Sequence, residues 1–186
     1  MKLRARNAYQ SLSSCVVLAA VVVFLAGVGA AAAADWPNYR GPNYDGISSE
    51  SDWRAELPQG SPIEWKTSLG WGFASMAVCD GYVYAMGNVD DRDIVYCLDA
   101  ATGKEKWRQS YPCPLYKKNH EGGPAGTPTV EGDAVYVFSK NGNALRLDAE
   151  TGKVVWHKKL REQLGLKDLT WFFSSSPLIV DDLVIL

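Results

Sequence analysis

The chain has 186 residues, 47% of them hydrophobic and 22% charged, with a formal net charge of −2. That balance suits a globular protein and argues against an intrinsically disordered one. Lys2, Arg4 and Arg6 are the charged residues of the first 34 positions, so the remainder carries −5; an acidic body argues against nucleic acid as a partner, since phosphate binding needs a basic face.

Those basic residues precede an apolar run from Val16 to about Gly29 and then Ala30 to Ala34. A basic start, an apolar stretch and small side chains in that order predict a signal peptide over 1–34, cut after about Ala34. The competing expectation is an uncleaved anchor, because the run approaches the roughly 20 apolar residues that span a bilayer. Membrane contact is expected only through this segment, if it is uncleaved, and the rest is expected in the periplasm or cell envelope of a bacterium. Of four cysteines, Cys79, Cys97 and Cys113 lie beyond the signal, an odd number with no C-x-x-C spacing. At least one thiol is therefore expected to be free or to pair elsewhere, and no zinc or dithiol site is indicated.

Asp35 to Gly46 is rich in Pro, Gly and Asn and predicts an irregular segment with aromatic anchors. Ser51 to Leu57 predicts a short helical turn, and a strand carrying Trp65 is expected over about 62–68. A four-stranded unit follows over about 74–110, with strands at Ser75–Cys79, Tyr82–Met86, Ile94–Leu98 and Glu105–Arg108. Asn88 to Asp93 reads as a polar loop inside it. A second unit over about 126–160 has strands at Thr127–Val130, Ala134–Ser139, Ala144–Leu147 and Val154–His157, with Asn141-Gly142 as a hairpin signal. A third begins at about 175 and runs to 186.

The two full units share one pattern. Asp99-x-x-Thr102-Gly103-x-x-x-Trp107 returns as Asp148-x-x-Thr151-Gly152-x-x-x-Trp156, 49 positions later at every matched residue. Repeats of about 40 to 50 residues with four short strands each describe an all-β fold, a β-propeller of antiparallel blades. A β-sandwich would not be expected to repeat Asp, Thr, Gly and Trp at fixed offsets. Asp and Thr suit bonds to the turn's own backbone, Gly permits positive φ, and Trp offers a large apolar ring with one N–H. These eight residues read as structural.

Here the chain resembles the pyrroloquinoline-quinone (PQQ) repeat propellers, whose tryptophan-docking motif these residues match. The family's small residue two positions before the Asp is replaced by Cys97 and by Arg146, the latter a departure that argues against tight packing there. Trp36-Pro37-x-x-Arg40-Gly41-Pro42-Asn43-x-Asp45-Gly46 also resembles the opening of exported bacterial propellers of this superfamily. The resemblance implies about eight blades, of which two to three are present here, so the chain is expected to be the N-terminal part of a longer protein.

Candidate functional loops join each fourth strand to the next first strand: Gly70 to Ala74, Tyr111 to Gly126 and Leu166 to Ser175. Trp71 and Trp171 are able to stack on a ligand, His120 and Glu121 to serve in acid–base work or metal binding, and Lys117 to take an anion. The plainer expectation is blade packing for the aromatics and a solvated loop for the polar residues. Asn88, Asp90, Asp91 and Asp93 form an acidic cluster able to offer oxygen ligands to Ca²⁺; it lacks the spacing of a dedicated calcium loop, and a polar hairpin turn explains it as well. The resemblance implies two functional classes. One is a non-catalytic scaffold similar to BamB, with protein partners in the envelope, no cofactor and no catalytic residue. The alternative is a quinoprotein dehydrogenase of alcohols or sugars holding PQQ and Ca²⁺, a class marked by an adjacent Cys-Cys pair that this sequence lacks.

Overall fold

The computed structural model describes residues 34–51, 56–117, 122–167, 169, 170 and 172–186. Residues 34–186 form one compact unit. Among the described residues no helix is long and apolar enough to cross a membrane.

The first sheet contains β1 (Ala77–Cys79), β2 (Tyr82–Val89), β3 (Arg92–Asp99) and β4 (Glu105–Pro112), and the second β5 (Thr129–Glu131), β6 (Ala134–Phe138), β7 (Asn143–Asp148) and β8 (Val154–Lys159). Each is an antiparallel meander in chain order, and β9 (Leu178–Val180) pairs with β10 (Leu183–Ile185) as a third hairpin. This is the blade arrangement of a β-propeller, present in part. One helical turn, α1 (Leu160–Gln163), follows β8.

Alternation along β3 shows how one sheet fills two interfaces. Val95 and Cys97 join the core shared with Val130, Val135, Leu145 and Leu147 of the second sheet. Ile94, Tyr96 and Leu98 point the other way and gather Trp65 and Leu69. Successive strand side chains face opposite sides, so a blade buried on both sides must be apolar at both sets of positions.

The sheets are also laced near their first strands. Trp36 exchanges two backbone hydrogen bonds with Val78 of β1, at 2.7 and 2.9 Å, and the next carbonyl, of Pro37, accepts from Val130 of β5 at 2.8 Å. Thr129 Oγ1 then donates to the Pro177 carbonyl at 2.6 Å, tying β5 to the third hairpin.

Two expectations differ from the structure. Residues 62–68 pair with no strand of this chain, and the Trp65 side chain places the segment. The polar loop expected at Asn88–Asp93 is a two-residue turn. Asp90 and Asp91, at φ 51° and 59°, are its tip, and Asn88 and Asp93 belong to the paired strands. Both φ values lie in the left-handed region that suits a tight hairpin, which Asp tolerates better than most residues. The helical turn expected at Ser51–Leu57 falls largely outside the described residues.

Candidate functional site

The repeated Asp-x-x-Thr-Gly turn has one geometry in both copies. Asp99 Oδ1 accepts from the Thr102 amide at 2.8 Å and its hydroxyl at 2.6 Å; Asp148 Oδ1 accepts from Thr151 at the same two distances. Those bonds, the Thr hydroxyl's foremost, hold both carboxyls below their ordinary range. Gly103 and Gly152, at φ 69° and 70°, leave a bare backbone face that receives an indole. Trp65 lies on Gly103 and donates from Nε1 to the Ala100 carbonyl at 2.8 Å; Trp107 lies on Gly152 and donates to the Ala149 carbonyl at 2.9 Å. Each ring therefore docks on the turn of the following unit. A β-bulge precedes Trp107 and Trp156 at the same place in each repeat, between Cys97 and Leu98 and between Arg146 and Leu147. Bulges re-aim side chains, and here they set the Trp out of simple alternation.

At the opposite end of β2, parts of the three loops after the fourth strands come together. The first is pinned by Trp71, whose N–H and C=O bond Asn88 at 2.9 and 2.7 Å. Phe73 and Ala74 donate to the Pro124 carbonyl at 2.8 and 3.2 Å, joining the first loop to the second. Phe172 stacks edge-on against Tyr116 with centroids 4.4 Å apart, joining the third loop to the second. Phe172 is held at φ 62°, a strained conformation for an aromatic residue. Phe73, Tyr116, Phe172, Phe173, the Gly122-Gly123 backbone and Lys140 enclose a cavity of about 330 Å³.

Lys140 connects that cavity to a buried polar cluster. Asn88 and Asp93 are 0% exposed; Asn88 Nδ2 donates to Asp93 Oδ1 and to the Cys113 carbonyl, each at 2.8 Å. Asn88 Oδ1 and Lys140 Nζ are buried and meet no hydrogen-bond partner; Asp93 Oδ2 and the Tyr111 hydroxyl have none of good geometry, but Tyr111 interacts with Asp93 and Ser139, and Asp93 with Cys113. Burial raises the Asp93 carboxyl above its usual range against the opposing pull of Asn88, Cys113 and Lys140. Burial likewise lifts Tyr111 well above its ordinary value and pushes the Cys113 thiol up to about 12.

The residues singled out from the sequence are distributed as follows. Trp71 and Lys117 share a shallow groove with Asp90 and Asp91 beside the cavity. His120, Glu121 and Trp171 lie outside the described residues. Asn88 and Asp93 are locked to each other and to Cys113, leaving the exposed Asp90 and Asp91 as a turn rather than a ligand shell. His157 is exposed on β8, with Nε2 2.9 Å from Asn143 Oδ1. Cys79, Cys97 and Cys113 are free thiols. Two features carried no sequence signal: Lys140, which looks like an ordinary hairpin lysine, and Tyr111 at the end of β4. Among the described residues, the ligand-type side chains that cluster are Asp35, Cys79 and Asp80 at the β1–β2 turn, far along β2 from the cavity.

Comparison with known proteins bears on this arrangement. Residues 48–186 match the family model described as outer membrane protein assembly factor BamB. A quinoprotein ethanol dehydrogenase of Pseudomonas putida is 27% identical over 123 residues, covering 63% of this chain and 19% of that protein. The crystal structure of a quinohemoprotein alcohol dehydrogenase from Comamonas testosteroni aligns over 83% of this chain and 23% of its own, with a TM-score of 0.51 and 22% identity. A europium-containing methanol dehydrogenase aligns over 66% and 22%, with a TM-score of 0.50 and 21% identity. The chain thus spans about a fifth of these relatives' length, and the structural likenesses show the fold.

Proposed function

Because the chain belongs to the PQQ-like repeat family described as outer membrane protein assembly factor BamB, we propose that it is part of an exported, non-catalytic binding propeller of the cell envelope that recruits its partner on the loop face. The observation that carries this reading is the convergence of parts of three successive loops on one aromatic-walled cavity. Exposed aromatic rings are the side chains that dominate recognition surfaces, since they bury large area at little entropic cost. Among the described residues enclosing the cavity there is no carboxylate, imidazole or thiol to serve as acid, base or nucleophile. Trp71, more than half exposed beside it, extends the same aromatic surface.

The second reading, a PQQ-dependent dehydrogenase, is favoured by the quinoprotein ethanol dehydrogenase relative. The residues described here do not fit that cofactor. Its several carboxylates call for a cluster of cations, whereas Lys140 is the cation enclosing the cavity among the described residues. The chain has no adjacent cysteines, and Cys113 is fully buried. No step through a quinone is derived from these residues.

A photo-reactive amino acid placed at Phe73 or Tyr116 of the full-length protein in intact cells tests the scaffold. The expected result is a discrete crosslink to an envelope protein, absent when the probe sits at Glu56. PQQ-dependent dye reduction by the purified full-length protein, or no crosslink from either loop position, overturns the reading.

A further inference from the structure

Lys140 holds an unusual position. It is 4% exposed, lies in the β6–β7 turn, and its carbonyl accepts from the Phe173 amide at 3.2 Å, so the third loop closes over it. Its Nζ nevertheless finds no acceptor. Asp93 is near enough to feel the ammonium, but its carboxyl is engaged by Asn88, Cys113 and Tyr111 and does not bond Lys140. A buried ammonium without an acceptor is strongly unfavourable and calls for one.

The cavity that Lys140 helps to enclose supplies the rest of the recognition chemistry. At about 330 Å³ it sits at the small end of ligand cavities, which run from roughly 300 to 1,000 Å³. Its walls are the rings of Phe73, Tyr116, Phe172 and Phe173, which favour a flat apolar body. The geometry points to a binding site for a small monocarboxylate carried on a planar apolar group, with Lys140 Nζ donating to the carboxylate. Lys140 Nζ is itself closed off from solvent, so this donation requires the side chain to re-orient into the cavity it borders.

This inference rests on the loop face being a binding face, and it specifies what the cavity itself takes. Phenylacetate is the probe, titrated calorimetrically into the full-length protein, with phenylacetamide and 2-phenylethylamine as the neutral and cationic counterparts. Phenylacetate is expected to bind about tenfold tighter than the amide, the margin a charge-assisted hydrogen bond supplies. Lys140→Met should abolish that preference and leave the amide's affinity unchanged, Lys140→Arg should retain it, and Phe172→Ala should weaken both ligands. Equal binding of acid and amide, tighter binding of the amine, a preference that survives Lys140→Met, or no saturable binding of phenylacetate overturns the assignment. Crosslinking from Phe73 reports separately on the protein scaffold, so either reading can fail while the other stands.

Discussion

The indole of Trp107 donates to the Ala149 carbonyl at 2.9 Å while its six-membered ring lies on Gly152, so a single side chain both bonds and covers the turn of the next sheet. A β-carbon at Gly152 would stand 2.6 Å from the Trp107 ring, and the residue sits at φ 70°. Gly152→Ala therefore combines backbone strain with a steric clash, and about 2–4 kcal/mol of stability should be lost by urea denaturation. Gly132→Ala is the contrast. It has φ 55° but nothing within 4 Å, so only strain of about 1 kcal/mol applies. Equal losses at the two sites would mean that the ring contact contributes nothing.

The Asp148–Thr151 pair gives a prediction readable by titration. The carboxylate accepts from both the amide and the hydroxyl of Thr151, and its pKa is lowered accordingly. A lowered pKa means stability present above the unfolded value of about 3.9 and lost as pH falls through the folded value. Thr151→Val removes the hydroxyl bond and keeps the amide bond. The Asp148 carboxyl resonance should then titrate at higher pH, while Asp99 in the first copy stays where it is. An unmoved Asp148 would assign the depression to the backbone alone.

How much of this was legible depends on what repetition exposes. Asp99, Thr102, Gly103 and Trp107 recur at one period, and a recurring turn-and-ring unit has few architectural solutions. Arg146 stands where the first copy has Cys97, and the reason is visible in space. Cys97 is fully buried opposite a buried Trp107, whereas Arg146 reaches Asp133 at 3.0 Å beside a less buried Trp156. The strand expected around Trp65 meets no ladder partner in this chain, and alternation alone does not say where a partner would come from. The polar hairpin at Asn88–Asp93 is legible, but the burial of Asn88 and Asp93 is not, because it comes from elsewhere. Cys113, well beyond the hairpin in sequence, folds back so that its carbonyl meets Asn88 and its amide meets Asp91. Lys140 was silent for the same reason: its surroundings are built by loops whose sequence carries no period.

The hairpin yields its own test. Asp93 is fully buried with its pKa raised, chiefly by burial, among Asn88, Tyr111, Cys113 and Lys140. For an acid so shifted, the unfolded chain ionises first as pH rises past about 3.9, and stability falls until the folded pKa is passed. Asp93→Asn keeps an oxygen for Asn88 Nδ2 and removes the ionisation. The variant should lose that part of the decline in urea midpoint above about pH 4. Asp90→Asn, at the exposed turn tip, should leave the profile unchanged. A decline of undiminished size in Asp93→Asn would place its origin in another group.

Cys79 offers a chemical readout at the other end of β2. Its thiol is only partly buried, yet its pKa is pushed up to about 12 by burial and then by the carboxylates of Asp35 and Asp80. Sγ lies 3.5 Å from Asp35 Oδ2 and 3.7 Å from Asp80 Oδ2, so ionisation would place a thiolate against two negative charges. Thiolates, not thiols, react with disulfide reagents, so Cys79 should label slowly at pH 8 despite its exposure. Asp35→Asn removes the larger of the two carboxylate contributions and should accelerate labelling, by about tenfold for each unit the pKa falls. The rate is followed at the Cys79 peptide by mass spectrometry, which separates it from the buried Cys97 and Cys113. Raising the salt should speed the wild-type protein and leave the variant less affected, because partly exposed charges are screened. If Asp35→Asn labels no faster than the wild type, burial alone suppresses the thiol and the carboxylates are bystanders.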